Sequence, residues 1–167
     1  NIKPVDGYGS GLMRKPASNG EIANFGVEFK DDPLAMRAEI AAIKERMLAE
    51  EQMDLPVHES LSDGLYTRTL FIPKGCALVG KIHKKPCVNI VAKGDISIMT
   101  ETGFMRARAG YSVTSPAGIQ KVGYAHEDTI FINVFRTEET DMSKIEADLI
   151  VESFEALEGA KEQLCLG

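Results

Sequence analysis

Short apolar runs separated by turn-forming Gly and Pro fill the chain between residues 65 and 136. Gly75, Gly94 and Gly110 are among the turn residues. Runs this short and this evenly spaced are typical of an all-β sandwich or barrel. The pattern predicts strands at 65–72, 77–83, 87–92, 96–101, 104–107, 111–114, 120–124 and 129–136.

A helical pattern precedes the strands, from Pro33 to about Gln52. Asp32 is suited to cap the helix, and Pro33 to occupy its first position. Apolar residues recur at helical spacing and form one stripe, which predicts either a core contact or an oligomer contact. We assign the stripe to an interface; its members are Met36, Ile40, Ile43 and Met47.

The two ends of the chain differ from its middle. Residues 1–31 contain Gly7, Gly9 and Gly11 and show no clear periodicity, so they predict an extended arm or a disordered tail. Ser143 and Glu146 have the spacing of a capping box, which predicts a second helical region. The expected organisation is an arm (1–31), a helix and linker (32–64), a barrel (65–136) and a C-terminal helical segment (137–167).

Charge and cysteine content narrow the function classes. The formal net charge is −6, which disfavours nucleic acid as a partner because a polyanion would be repelled. No run of 18 apolar residues occurs, so no membrane-spanning helix is predicted. Cys76, Cys87 and Cys165 fit neither a zinc motif nor a disulfide framework, which indicates a reducing compartment.

Two spaced motifs in the strand region resemble those of the cupin superfamily. Gly75, His83 and Gly94 match the first motif, and the second matches at Gly110, Pro116 and Gly118. The resemblance implies a cupin-like barrel, that is, a double-stranded β-helix or jelly roll. It also implies a metal site, but the ligand positions of the family fall here on Lys81, His83, Cys87 and Lys121. A lysine ammonium has no lone pair to donate, so a standard metal site and its cofactor are not expected.

Three interpretations of the pocket that these four residues would form inside the barrel remain open. Ammonium groups can replace the charge of a metal and bind an anion, which gives a candidate ligand set of Lys81, His83, Cys87, Lys121 and Tyr124. The lysines can instead extend to the rim and leave the pocket vestigial. A weaker alternative is a zinc or iron site built from His83, Cys87 and His126.

Further stretches, such as 81–84, 89–96 and 122–129, are similar to cupin-like proteins encoded by phages and prophages. The leading hypothesis is therefore a non-catalytic binding or assembly module, in the cytoplasm of a bacterial host or in a virion. The expected partners are copies of the same chain or other protein subunits, without nucleic acid or membrane. The alternative is a sensor for anionic small molecules, or a cupin enzyme that uses the barrel pocket.

Overall fold

The computed structural model describes residues 12–14 and 32–165, with side chains described for 32–159. Most of the predicted arm lies outside the described residues. The elements, in chain order, are β1 (Leu12–Arg14), α1 (Pro33–Leu48), β2 (Val57–Ser62), β3 (Leu65–Ile72), β4 (Ala77–Val79), β5 (Ile82–His83), β6 (Cys87–Lys93), β7 (Asp95–Thr100), β8 (Gly103–Arg108), β9 (Ser112–Ser115), β10 (Val122–Ala125), β11 (Thr129–Arg136), α2 (Ile145–Leu149), β12 (Ile150–Val151) and α3 (Phe154–Cys165).

Two five-stranded antiparallel sheets enclose the core. The first sheet has the order β1-β4-β10-β7-β8, and the second has the order β2-β3-β11-β6-β9. In the second sheet the two longest strands pair along their whole length, from Thr129 opposite Ile72 to Arg136 opposite Leu65. Strands that follow each other in the chain often lie in different sheets, as in a jelly roll. The prediction of an all-β barrel of the jelly-roll type with flanking helices is confirmed.

Each predicted strand corresponds to an observed one, except that the run 77–83 is divided into β4 and β5. Three further strands were not predicted: β1 lies in the predicted arm, β2 in the predicted linker and β12 in the predicted C-terminal helical segment. Turn glycines set several strand ends. Gly94 has φ +90°, and a Cβ there would lie 2.5 Å from Oγ1 of Thr129, so no larger residue fits between β6 and β7.

Helix α1 covers the outer face of the first sheet. The Asp32 side chain caps it by accepting from the Leu34 amide at 3.0 Å, as predicted, but the helix ends at Leu48 rather than near Gln52. Its four stripe residues are at most 5% exposed. They pack against the sheet of their own chain; the cluster contains Met36, Ile40, Ile43, Met47, Ala77, Val79, Met99 and Val122. The assignment of this stripe to an interface is therefore wrong, because the stripe is part of the core.

The C-terminal segment closes one end of the barrel. A 3-10 turn at Met142–Lys144 is capped by Asp141, which accepts from the Ser143 amide at 3.0 Å, so the Ser143–Glu146 capping box does not form. Ile145 and Leu149 of α2 are buried on the barrel side chains Tyr66, Cys87 and Phe135. Among the described residues, no helix has the length and apolar content needed to cross a bilayer.

Candidate binding cavity

A cavity with about 80 Å³ of space accessible to water lies between the two sheets and opens at one end to solvent. Ile72 and Ile96 line its closed end and belong to the main core, whereas Phe135 and Leu149 line its mouth. The polar or charged side chains in its wall are Tyr66, Arg68, Lys81, His83, Lys121, Asn133 and Glu146.

Lys121 is the most unusual side chain of this wall. It directly precedes β10, and its carbonyl accepts from the Gly80 amide at 2.7 Å, which fixes its backbone beside β4. Its Nζ is buried and has no hydrogen-bond partner among the described residues. Burial lowers the pKa of Lys121 from its usual value, and the nearby Cys87 partly offsets this effect. Keeping this ammonium group buried in the cavity therefore reduces the stability of the fold.

His83, at the end of β5, is held in one orientation. Its Nδ1 lies 3.4 Å from the Cys87 Sγ, and its ring meets the edge of Phe135 with centroids 4.9 Å apart. Burial, together with the positive charges of Lys121 and Arg68, lowers the pKa of His83 to about 3. The imidazole is therefore neutral at physiological pH.

Cys87 lies behind His83 rather than in the cavity wall. It is 2% exposed and belongs to the cluster with Tyr66 and Phe135. Its thiol donates to Oδ1 of Asn89 at 3.5 Å. Burial raises the pKa of the Cys87 thiol, although Lys121 and Asn89 act in the opposite direction. A protonated thiol in this position orients His83 and is a poor nucleophile.

Lys81 lines the cavity, but its ammonium is already paired at the mouth. Its Nζ donates to Glu146 at 2.5 Å and to Glu152 at 2.8 Å. These hydrogen bonds outweigh partial burial, so the pKa of Lys81 is raised. Lys81 and Lys121 thus line one cavity, but among the described residues only Lys81 has acidic partners.

A polar row on the inner face of the second sheet was not recognised in the sequence. Cross-strand register places Glu59 beside Arg68, Arg68 beside Asn133, and Asn133 beside Asn89. Glu59 lies 4.0 Å from the Arg68 guanidinium and also accepts from the Tyr66 hydroxyl. Asn133 donates to Asn89 at 2.8 Å. The sequence feature that could have revealed this row is a single polar residue at an inward position of each otherwise apolar strand.

Tyr124 and His126 do not line this cavity. Lys121 and Gly123 face inward, so the alternation of strand side chains turns Tyr124 to the outer face, where it packs on the cluster under α1. His126 stacks edge-on against Tyr124 and lies 2.7 Å from the Ser97 hydroxyl. The structure brings Lys121, His83 and Cys87 together and leaves Tyr124 and His126 elsewhere.

The metal that the fold family implies does not suit these residues. His83 and Cys87 offer two donors, and the adjacent Lys121 would repel a divalent cation. Within the described ranges, no three His, Cys, Asp or Glu side chains are grouped as metal ligands. The zinc or iron alternative required His126, which is hydrogen-bonded on the other face of the first sheet.

A second cavity lies on the other side of Lys121. It shares Ile98, Lys121 and Phe131 with the first cavity, and hydroxyl-bearing residues such as Thr100, Tyr111 and Ser115 line it. The amine of Lys121 is thus within reach of space on two sides.

Comparisons with known proteins identify similar folds but no family. No protein-family model matches the chain, and no curated protein is significantly similar in sequence. A cupin-like protein from Thermotoga maritima is 13% identical with a TM-score of 0.44, over 49% of this chain and 68% of that one. A cupin-2 domain containing protein from Shewanella frigidimarina is 14% identical with a TM-score of 0.41, over 56% of this chain and 89% of that one.

An acetylacetone dioxygenase from Acinetobacter johnsonii is 17% identical with a TM-score of 0.42, over 49% of this chain and 59% of that one. Similar structures therefore include an enzyme. Values this low assign neither an activity nor a ligand to this chain. The phage origin and the virion role stay predictions.

Proposed function

We propose that this protein binds a small organic anion in its barrel cavity, through the Lys121 ammonium. The observation that carries the proposal is the buried Nζ of Lys121, which has no hydrogen-bond partner in the described part of the chain. A buried cation without an acceptor is costly, and a ligand carboxylate would remove that cost. Attraction between the two charges is strong where water is excluded.

The charges around the cavity favour a ligand with one negative charge. Arg68 lies beside Glu59, and Lys81 is bound to Glu146 and Glu152. His83 is neutral at physiological pH because its pKa is about 3. Among the described side chains that line the cavity, Lys121 is thus the cation with no acidic partner. A monoanion would neutralise it, whereas a dianion would bring one charge too many.

The rest of the cavity favours an apolar body for this anion. Beyond the polar row, the wall toward the closed end consists of aliphatic and aromatic side chains. Burying apolar area contributes roughly 25 cal/mol per Å². A short-chain or aromatic monocarboxylate meets both requirements. The lining residues of this part are Leu70, Ile72, Leu78, Ile96, Ile98 and Phe131.

Isothermal titration calorimetry with hexanoate and benzoate tests the proposal, with succinate and inorganic phosphate as comparison anions. We expect the two monocarboxylates to bind more tightly than the comparison anions. Lys121→Met keeps the apolar stem and removes the charge. Loss of a charge-assisted hydrogen bond of about 1.5–3 kcal/mol corresponds to roughly 10- to 150-fold weaker binding.

Lys81→Met is the matched control, because Lys81 lines the same cavity but is already paired. We expect it to change the dissociation constant by less than about threefold, as surface ion pairs contribute little. No heat with any of the four anions, or equal binding by wild type and Lys121→Met, would contradict the proposed function.

A further inference from the structure

The surroundings of Lys121 give its amine a chemistry that the amine of Lys81 lacks. The Nζ of Lys81 donates to Glu146 and Glu152, whose hydrogen bonds outweigh its partial burial and keep it charged. The Nζ of Lys121 is buried with no acceptor in the described part of the chain, and burial lowers its pKa. A lysine amine that loses its proton in an apolar cavity is a nucleophile, and a carbonyl carbon is its usual target.

The space beside this amine suits an apolar carbonyl compound. Toward its closed end, the first cavity has a wall of aliphatic and aromatic side chains, which includes Ile96, Ile98 and Phe131. Lys121 also lines the second cavity, so its flexible four-carbon stem can carry the Nζ into either space. Reaction with a carbonyl uses the amine that would otherwise pair with an anion. An uncharged compound therefore fits better than a charged one.

We infer that Lys121 binds small apolar aldehydes covalently, as a reversible imine. The Nζ lone pair attacks the carbonyl carbon and forms a C–N bond, while the C=O π bond breaks and the oxygen takes up the proton that the nitrogen loses. The C–O bond of this carbinolamine then breaks, and the oxygen leaves as water with the second amine proton. A C=N bond remains, and no oxidant or reductant is needed. The proposed function uses the ammonium and this inference the uncharged amine, so each can hold without the other.

The second cavity gives the released water a polar environment. Thr100, Tyr111 and Ser115 line it with hydroxyl groups, on the other side of Lys121 from the apolar wall. Water held there can form hydrogen bonds to these hydroxyls, and it can return to hydrolyse the imine. The aldehyde body and the water thus have separate places around one amine, which makes the binding reversible.

Reductive trapping of the full chain with benzaldehyde and sodium cyanoborohydride tests this inference, because the reductant converts an imine to a stable benzylamine. Peptide mass spectrometry compares the adduct at Lys121 with the adduct at Lys93, an exposed lysine at the end of β6. With benzaldehyde limiting, we expect at least about tenfold more adduct at Lys121, because the cavity holds the aldehyde beside the amine. Lys121→Met should remove this adduct, and Lys93→Met should leave it unchanged.

Circular dichroism shows whether Lys121→Met is folded. If it is not, Lys121→Arg keeps a positive charge but forms no imine, because a guanidinium does not deprotonate in proteins. This variant should carry no adduct at position 121. Equal labelling of Lys121 and Lys93 in the wild type would overturn the inference, because the amine would then react as any exposed lysine does.

Benzoate has nearly the shape of benzaldehyde and separates this inference from the proposed function. Heat of benzoate binding without preferential labelling of Lys121 would overturn the inference and leave the proposed function standing. Preferential labelling of Lys121 without benzoate binding would support the inference and contradict the proposed function. Where both hold, excess benzoate should reduce the adduct at Lys121 and leave the adduct at Lys93 unchanged.

Discussion

Replacing Lys121 by methionine should stabilise the ligand-free protein, although most substitutions of buried residues destabilise. The wild-type Nζ is buried without a hydrogen-bond partner in the described residues, and burial lowers its pKa. Protein mutation data give a cost of about 1–3 kcal/mol for burying a polar group without a partner. Methionine fills a similar volume without this cost. We therefore expect the free energy of unfolding to rise by about 1–3 kcal/mol.

Urea unfolding followed by far-ultraviolet circular dichroism measures this change, since the chain contains no Trp. All variants are compared at one protein concentration, because any self-association would add to the apparent stability. Lys81→Met is the control and should have the opposite sign. It leaves Glu146 and Glu152 without their cation. Because these groups are partly exposed, the free energy of unfolding should fall by only about 0.5–1 kcal/mol.

The outcome that would refute this reasoning is a Lys121→Met variant less stable than wild type by more than about 1 kcal/mol. Lys121 would then be a structural residue whose charge is satisfied in the folded protein. The ligand proposal would lose its basis, because it depends on a cation that the chain itself leaves uncompensated. A stabilised variant that no longer binds monocarboxylates would show that Lys121 serves binding at the expense of stability.

Two further predictions concern pH and the core. Because the pKa of His83 is about 3 in the fold and 6.5 when unperturbed, the unfolded chain binds one more proton between these values, and stability falls as pH drops through this window. Between pH 7 and pH 5, wild type should lose about 2 kcal/mol more than His83→Gln, measured by urea unfolding at both pH values; equal losses would contradict this. Ile40→Ala should lower the free energy of unfolding by about 2–5 kcal/mol, and the exposed control Leu48→Ala by less than about 0.5 kcal/mol. Neither variant should change the mass of the protein in solution. A changed mass for Ile40→Ala would instead support a role of the stripe at an interface.

The strands were predictable because turn chemistry and apolar runs agree along most of the barrel. β3 and β11 have the predicted limits, and Gly94 marks the turn that only glycine permits. β2 was missed for an identifiable reason. Its inward positions include Glu59, a charged residue that breaks the expected alternation and is compensated by Arg68 of the neighbouring strand. The sequence pattern alone does not show that Arg68 lies beside Glu59 in the fold.

The faces of the elements were harder to predict than the elements themselves. Lys121 and Tyr124 were both assigned to the cavity, yet residues three apart on a strand point to opposite sides. Gly123, which lies between them and lines the cavity, has no side chain that could reveal the inward side. The apolar stripe of α1 was likewise correct as a stripe, but a stripe does not say whether its partner is the same chain or another.

Lys81 and Lys121 show why residue type alone does not define this cavity. Lys81 and Lys121 are the same amino acid in the same cavity. Lys81 meets Glu146 and Glu152, which follow it by 65 and 71 residues and reach it only because α2 and β12 fold across the mouth. No acidic side chain among the described residues forms a hydrogen bond with the Nζ of Lys121, which lines the same cavity. The specificity that we propose for an anion therefore depends on which cation the fold leaves without an acidic partner, and that is determined by the chain's long-range contacts.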